Sequence, residues 1–238
     1  MKRLFVFLPF LFSVIFLSAQ NTVVHDDHAE KRNVSGFHSI EVSSGINLVI
    51  KQGNEEAVAV SGATSEITAR IKTEVENGKL KIYFDSRGWH NNNAKKELKA
   101  YVSFKMLDAL EANSGAQTTT DGNINVSNLD ISLSSGAGFN GTVTASNLDI
   151  DQSSGSVMTI KGKVSSLKIT TSSGADFNGY DLASETCKAN ASSGSDIEVT
   201  VNKELDAVAN SGGGINYKGN GSVMNVSNSS GGRIKKQG

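Results

Sequence analysis

The sequence predicts an all-β protein: a parallel β-helix or solenoid of about 19-residue rungs, with a small inserted strand, helix and hairpin segment. Three observations predict it. The dipeptide Ser-Gly recurs at Ser114-Gly115, Ser135-Gly136, Ser154-Gly155, Ser173-Gly174, Ser193-Gly194, Ser211-Gly212 and Ser230-Gly231, with glycine spacings of 21, 19, 19, 20, 18 and 19 residues. Apolar residues keep fixed offsets on both sides of these glycines, and 24 glycines stand against a single proline. A period this short is one turn of a stack rather than a domain.

The offsets define the predicted core. Seven residues before each glycine stand Leu129, Leu148, Leu167, Cys187, Leu205 and Met224, and five before stand Leu110, Ile131, Ile150, Ile169, Ala189, Ala207 and Val226. Three after stand Thr118, Phe139, Met158, Phe177, Ile197, Ile215 and Ile234, and five after stand Thr120, Gly141, Ile160, Gly179, Val199 and Tyr217. Alternation by two on either side of a turn reads as two strands per rung, each with one buried face. Phe139 goes with Gly141 and Phe177 with Gly179, whereas the rung between carries Met158 and Ile160, so large and small residues alternate up the stack. Cys187 with Ala189 marks the thinnest section, and the thiol reads as an inert core residue. The inward side chains of one rung recover less free energy than ordering its backbone costs, so a rung folds only against its neighbours.

In chain order, residues 1–19 read as a secretory signal peptide: Lys2-Arg3, an apolar run from Leu4 to Leu17, then Ser18-Ala19 before the expected cut. The run is too short for a comfortable membrane span. Its removal takes two of the 23 basic residues from a chain with 24 acidic ones, leaving a net charge of −3, which does not suggest a nucleic-acid partner. Residues 20–35 read as a flexible polar tail. Within it His25-Asp26-Asp27-His28 has metal-ligand chemistry, but adjacent residues on a tail lack the support a metal site needs.

The domain proper is expected over 36–238, with a first rung at 36–53, an insertion at 54–106 and repeated rungs at 107–238. The first rung carries Ile40, Val42, Ser43-Ser44-Gly45, Ile46, Leu48 and Ile50, the same layout as later copies. In the insertion, Val58 and Val60 alternate as a strand, and Ile67, Ile71 and Val75 are spaced as on one face of a short helix, although Val75 also suits a strand. Asn77-Gly78 between Val75 and Leu80-Lys81-Ile82 is a hairpin signal. A polar loop over 85–97 carries Arg87, Trp89, His90 and Asn91-Asn92-Asn93.

The Ser-Ser-Gly turn reads as architecture: glycine supplies the tight corner, and stacked serine hydroxyls can bond backbone and their copies above and below. A phosphate loop would need a following helix and a Gly-Lys-Ser/Thr ending, which this repeat lacks. The terminal Arg233, Lys235 and Lys236 charge the last rung, which discourages pairing between edges.

Chemistry is sparse. The outward column six before each glycine is Asp130, Asp149, Lys168, Lys188, Asp206 and Asn225, a mixed-sign stripe. Asp149 and Asp151, with Asp176 nearby in the repeat, form the one paired-carboxylate candidate for polysaccharide cleavage. All four histidines precede the repeated rungs, so no serine triad is evident. No cofactor is expected. Trp89, flanked by Arg87 and His90, is the binding candidate: it stacks on a sugar or partner protein, or it caps the open end of the solenoid.

With Gly45-Ile46-Asn47 in place, followed by Leu80-Lys81-Ile82 and repeated Ser-Gly turns after Leu107, residues 34–238 resemble the putative auto-transporter adhesin family with the head GIN domain. The resemblance implies an exported β-helix-like protein without established catalytic residues. A membrane β-barrel of alternating strands is not read in this chain, so the expected location is the periplasm, cell surface or extracellular space. The expected function is a non-catalytic, adhesin-like binding or structural module of the envelope that contacts a glycan or an envelope protein. The alternative is a carbohydrate-active β-helix enzyme using Asp149 and Asp151, and an oligomeric building block is a third reading.

Overall fold

The computed structural model describes Asp26, residues 29–90 and residues 95–238. The expected signal peptide at 1–19 lies outside the described residues, as do His25, Asp27, His28 and Asn91-Asn92-Asn93.

The repeated turn sets the architecture. In each of eight Ser-Gly pairs, beginning at Ser44-Gly45 and ending at Ser230-Gly231, serine has φ between 47° and 63° and glycine between 69° and 81°. The amide of Ala137 donates back to the carbonyl of Ser134 at 3.1 Å, and its counterparts do the same. Two successive positive φ values closed by such a bond make a type I′ turn, which suits the twist of the flanking strands. Glycine is the easy residue here, and serine is the costly one.

Adjacent turns are bonded to one another. The glycine amide of each turn donates to the serine carbonyl of the next, from Gly45 to Ser114 at 2.9 Å, through Gly136 to Ser154 at 3.0 Å, to Gly212 to Ser230 at 3.1 Å. The ladder at this corner is therefore made of backbone, not of the serine hydroxyls expected from sequence. A turn in which both central residues are left-handed aims the amide and carbonyl along the stack, leaving the hydroxyls to solvent or to neighbours, as in Ser114 Oγ to Asn113 Oδ1 at 3.0 Å.

The chain order is β1 (Glu30–Arg32), β2 (Ser39–Val42), β3 (Asn47–Gln52), β4 (Ala57–Ser61), α1 (Ser65–Arg70), β5 (Ile71–Glu76), β6 (Lys79–Phe84), β7 (Lys99–Phe104) and β8 (Ala109–Ala112). The long wraps follow: β9 (Gln117–Leu133), β10 (Gly138–Gln152), β11 (Val157–Thr171), β12 (Asp176–Ala191) and β13 (Asp196–Ala209). The final rung pieces are β14 (Gly214–Lys218), β15 (Ser222–Asn228) and β16 (Arg233–Lys236). From β9 to β13 each rung is one bent, hydrogen-bonded stretch of 14 to 17 residues rather than two separate strands, because neighbours on both sides pair it in parallel round its bend.

The predicted columns are buried through the body of the stack, from Leu129 and Ile131 to Leu205 and Ala207 on one arm and from Thr118 to Ile215 on the other. Phe139 and Phe177 lie over their own glycines: a Cβ on Gly141 would come 2.9 Å from Phe139 Cζ, and one on Gly179 would come 2.7 Å from Phe177 Cζ. Two further inward columns flank the turn, Leu133, Gln152, Thr171, Ala191 and Ala209 before it and Ala116, Ala137, Ser156, Ala175 and Ser195 after it. Their small and polar side chains bond across the corner, as in Thr171 Oγ1 to Ser195 Oγ at 2.8 Å. The columns fail at the last rung. Met224 and Val226 are 59% and 53% exposed, because among the described residues no strand pairs with the outer side of β15, and Met224 bulges out where Leu205 pairs with Val223 and Asp206 with Asn225.

The insertion over 54–106 builds a layer above the first rung. β6 pairs in parallel with β2, and β7 with β3, while β5 and β4 pair antiparallel on their far sides, so the turn at Ser44-Gly45 sits in the third layer rather than the first. β2 and β3 pair on their other sides with β8 and β9. The hairpin at Asn77-Gly78 forms, with φ values of 51° and 77°. The helix is shorter than its apolar spacing suggested: α1 ends at Arg70, and Ile71 and Val75 belong to β5. Pairing with β6 wins there, since Ile71, Thr73 and Val75 are β-branched and have Phe84, Ile82 and Leu80 opposite them. Thr64 caps α1 by accepting from the Ile67 amide at 3.3 Å, and Ile67 and Thr68 are buried over the stack. Part of the expected flexible tail is ordered too: β1 pairs antiparallel with β4, and Arg32 Nη2 donates to the Thr68 carbonyl at 2.8 Å.

Candidate functional site

The loop between β6 and β7 holds the three residues singled out in the sequence. Asp85 organises it. Its carboxylate accepts from the Arg87 amide at 3.1 Å and from Arg87 Nε and Nη2 at 2.9 and 2.7 Å, a bidentate pair that folds the turn on itself. That guanidinium holds the Asp85 carboxyl well below the usual carboxylate range. The Arg87 side chain nonetheless remains 87% exposed, so its outer face is open.

Trp89 is half-buried and packs against the core. Its ring meets Phe84 edge-on, with centroids 5.8 Å apart and planes at 89°. The Arg70 guanidinium lies 5.2 Å from the Trp89 centroid while Nη1 donates to the carbonyls of Asp85 and Arg87 at 3.2 and 3.0 Å. Lys96 Nζ sits 4.8 Å from the Phe84 centroid. The Trp89 ring thus packs against Arg70 and, at right angles, Phe84, while Arg87 and His90 stand exposed on the rim. The structure brings Arg87 and Trp89 together through Arg70 and Asp85. It records no bond or ring contact for His90 with another described residue.

Asp149 is committed elsewhere. Its Oδ2 accepts from Lys168 Nζ at 2.6 Å, and this bond raises the lysine pKa, with the charge of Asp149 next and those of Asp151 and Asp130 adding less. Asp149 and Asp151 share the outward face of β10, where Asp151 is exposed and pairs in register with Thr170 and Ser132. Asp176 begins β12 beyond the turn, so it does not join them on that stretch. The neighbouring column is an amide ladder, Asn147 Nδ2 donating to Asn128 Oδ1 at 2.8 Å. Of the metal-type cluster at the tail, Asp26 is the described member, and it accepts from Tyr101 Oη at 3.2 Å and pairs with Lys99 at 3.4 Å.

One surface feature was missed. The rungs differ in length, and much of the difference is absorbed at one corner, where register shifts fall between Asn140 and Thr142, Thr159 and Lys161, and Gly179 and Ala183. In β9 three residues, Thr120-Asp121-Gly122, stand opposite the single Gly141 of β10, an excess of two, with Gly122 at φ 90°. Asp121 reaches Lys51 Nζ at 2.9 Å, and Gln52 exchanges two bonds with the Asn125 backbone at 2.9 and 2.7 Å. Beside this bulge lies a depression of about 460 Å³ lined by Thr119, Asn123, Asn140, Thr142 and Lys161 among others. Its lining offers hydroxyls, side-chain amides and the Lys161 ammonium as hydrogen-bonding groups. The signal was the 21-residue spacing from Gly115 to Gly136, two longer than the usual 19.

A family model described as putative auto-transporter adhesin, head GIN domain, matches residues 36–221. Among solved structures, a putative adhesin from Bacteroides fragilis is 17% identical, with a TM-score of 0.80 over 88% of this chain and 96% of its own. A putative lipid binding protein from Parabacteroides distasonis is 19% identical, with a TM-score of 0.68 over 90% and 98%. A putative adhesin from Parabacteroides merdae is 14% identical, with a TM-score of 0.68 over 88% and 95%. At these identities the likeness is one of fold. No curated protein matches the chain.

Proposed function

Since the chain belongs to the putative auto-transporter adhesin family, head GIN domain, we propose that it is an exported, non-catalytic, adhesin-like binding or structural module of the cell envelope. The observation that carries this reading is the continuous backbone ladder from Gly45 to Ser230, which locks eight turns into one stiff stack. A stiff stack holds its outward side chains at a fixed repeat of about 4.8 Å, a geometry suited to lying along a repeating polymer or a flat partner. The contacts we assign to it are Arg87 and His90 on the rim of the Trp89 cap, together with the Thr119 to Lys161 depression. The ligand class is a glycan or an envelope protein.

The polysaccharide-cleaving alternative needs a carboxyl free to give a proton, and the Lys168 bond to Asp149 works against that role. Release of sugar from an acidic polysaccharide by the purified protein, abolished by Asp151→Ala, would reinstate it. The binding reading is tested by a glycan array and an envelope pulldown. A captured glycan or envelope protein is expected, lost on Arg87→Ala with His90→Ala or on Asn140→Ala with an unchanged melting temperature. Absence of any ligand, with a deletion strain normal in attachment and envelope integrity, overturns it.

A further inference from the structure

The two ends of the stack are built differently. At one end β1 and β5 run antiparallel to β4 and β6, α1 lies over the core, and Trp89 closes the side. At the other end β15 pairs with β13 and β16 with β14, and among the described residues neither has a ladder partner on its outer side. All seven residues of β15 are exposed, Val223, Met224 and Val226 at 38%, 59% and 53%.

Charge is distributed unequally over this end. β15 carries no charged residue, whereas β16 carries Arg233, Lys235 and Lys236. None of the three forms a salt bridge among the described residues. No Asp or Glu follows Asp206, so these three and Lys218 make a cationic end on a chain whose net charge is −1. Lysine on β16 blunts one edge, but no charge or proline blunts β15.

We propose that this end docks an extended acidic segment of a partner protein, which follows β15 round the Ser230 turn to β16 as a further rung would. Three features choose this occupant. Unpaired backbone donors and acceptors on the outer edges of β15 and β16 are met in register only by another backbone, which sugars and lipids lack. Val223, Met224 and Val226 give apolar contact along the β15 half. The cations of β16 ask for carboxylates along the other half, which argues against a second copy, since a two-fold arrangement lays β16 against the copy's β15, which carries no Asp or Glu. The site lies at the opposite end from Trp89 and does not rest on the Arg87 and His90 contacts.

The test uses the full chain and a fluorescein-labelled peptide of three Val-Glu-Thr-Glu copies, with a counterpart in which lysine replaces glutamate. Fluorescence anisotropy at physiological salt is expected to give the acidic peptide at least tenfold tighter binding. Val226→Lys should weaken that binding at least tenfold, and Arg233→Glu with Lys235→Glu should reverse the preference between peptides. Both variants change exposed positions, and circular dichroism with a melting curve verifies their fold. Equal binding of the two peptides, or binding indifferent to both variants, overturns the proposal. A dimer seen by light scattering and dissolved by Val226→Lys overturns it in favour of a second copy. Binding of phosphatidylglycerol vesicles without peptide binding overturns it in favour of a lipid surface. A negative result here leaves glycan capture through Arg87 and His90 standing, because the two ends are read by different variants.

Discussion

The Gly136 amide donates to the carbonyl oxygen of Ser154 at 3.0 Å, and both residues hold left-handed backbone, with φ of 73° and 54°. Every interior turn of the stack is in this way donor to one neighbour and acceptor from the other. The serine conformation is costly in isolation, and the bond it accepts along the stack compensates.

This relation predicts the ranking of substitutions at the turn. Ser154→Asn should leave stability within about 0.5 kcal/mol, since asparagine tolerates left-handed φ, while Ser154→Val should cost about 1–3 kcal/mol. Gly136→Ala should cost about 1 kcal/mol although a Cβ there meets nothing within 4 Å, because only φ resists it. Urea titrations of the three variants measure the order directly.

The Phe177 ring over Gly179 predicts coupling. Gly179→Ile should destabilise by about 2–4 kcal/mol through collision with that ring, and Phe177→Met in the same chain should return at least 1 kcal/mol of it. Met158 with Ile160 already shows that this pair fits an equivalent rung, both being fully buried. A double-mutant cycle giving additive losses would show that the two positions do not share volume.

Trp89 as a cap predicts a local effect. Trp89→Ala should cost about 1–3 kcal/mol and Arg70→Met about 1–2 kcal/mol, the latter through the lost carbonyl bonds and ring contact. Trp89 is the only tryptophan, so its emission reports the cap itself. In Arg70→Met the red shift should come at lower urea than in the parent protein, and coincident midpoints would count against the cap.

The Cys187 thiol predicts a pH effect of definite sign. Burial pushes it up from 9.0 to about 12, with the charge of Asp206 adding to the shift. Above pH 9 the unfolded chain has lost this proton and the folded chain has kept it, so stability falls as pH rises from 9 toward 12 and is unaffected below. Cys187→Ala should therefore show a shallower loss between pH 8 and 11, a difference that cancels the lysines and tyrosines common to both proteins. Native protein should also resist iodoacetamide at pH 8 until it unfolds.

The stack was legible because apolar side chains at fixed offsets from a glycine are a local pattern. The columns beside the turn escaped because Ala137, Ser156 and Gln152 carry no hydrophobic signal, although a corner where two arms converge selects small or bonded side chains. Met224 and Val226 fit their columns yet stand in solvent, since an offset says nothing about whether a neighbouring strand covers that side. The layering of β6 and β7 over β2 and β3 pairs residues tens of positions apart and leaves no mark in either segment. At the candidate site the sequence held Arg87, Trp89 and His90 together in one loop. The role of Arg70 in turning Trp89 inward needed the path of α1, and the depression at Asn140 needed a two-residue excess to be read as shape.

The turn at Ser44-Gly45 lies between layers whose strands come later in the chain, β6 and β7 above and β8 and β9 below. A polypeptide delivered N-terminus first therefore releases this storey before the one directly above it, and both before the floor on which they rest. From Gln117 onward each wrap rests on the one just made, so growth there is vectorial and needs no waiting. The early segments must be held open until about residue 133 has emerged, which makes the passage through β1 to β8 the stretch most exposed to chaperones and proteases during synthesis.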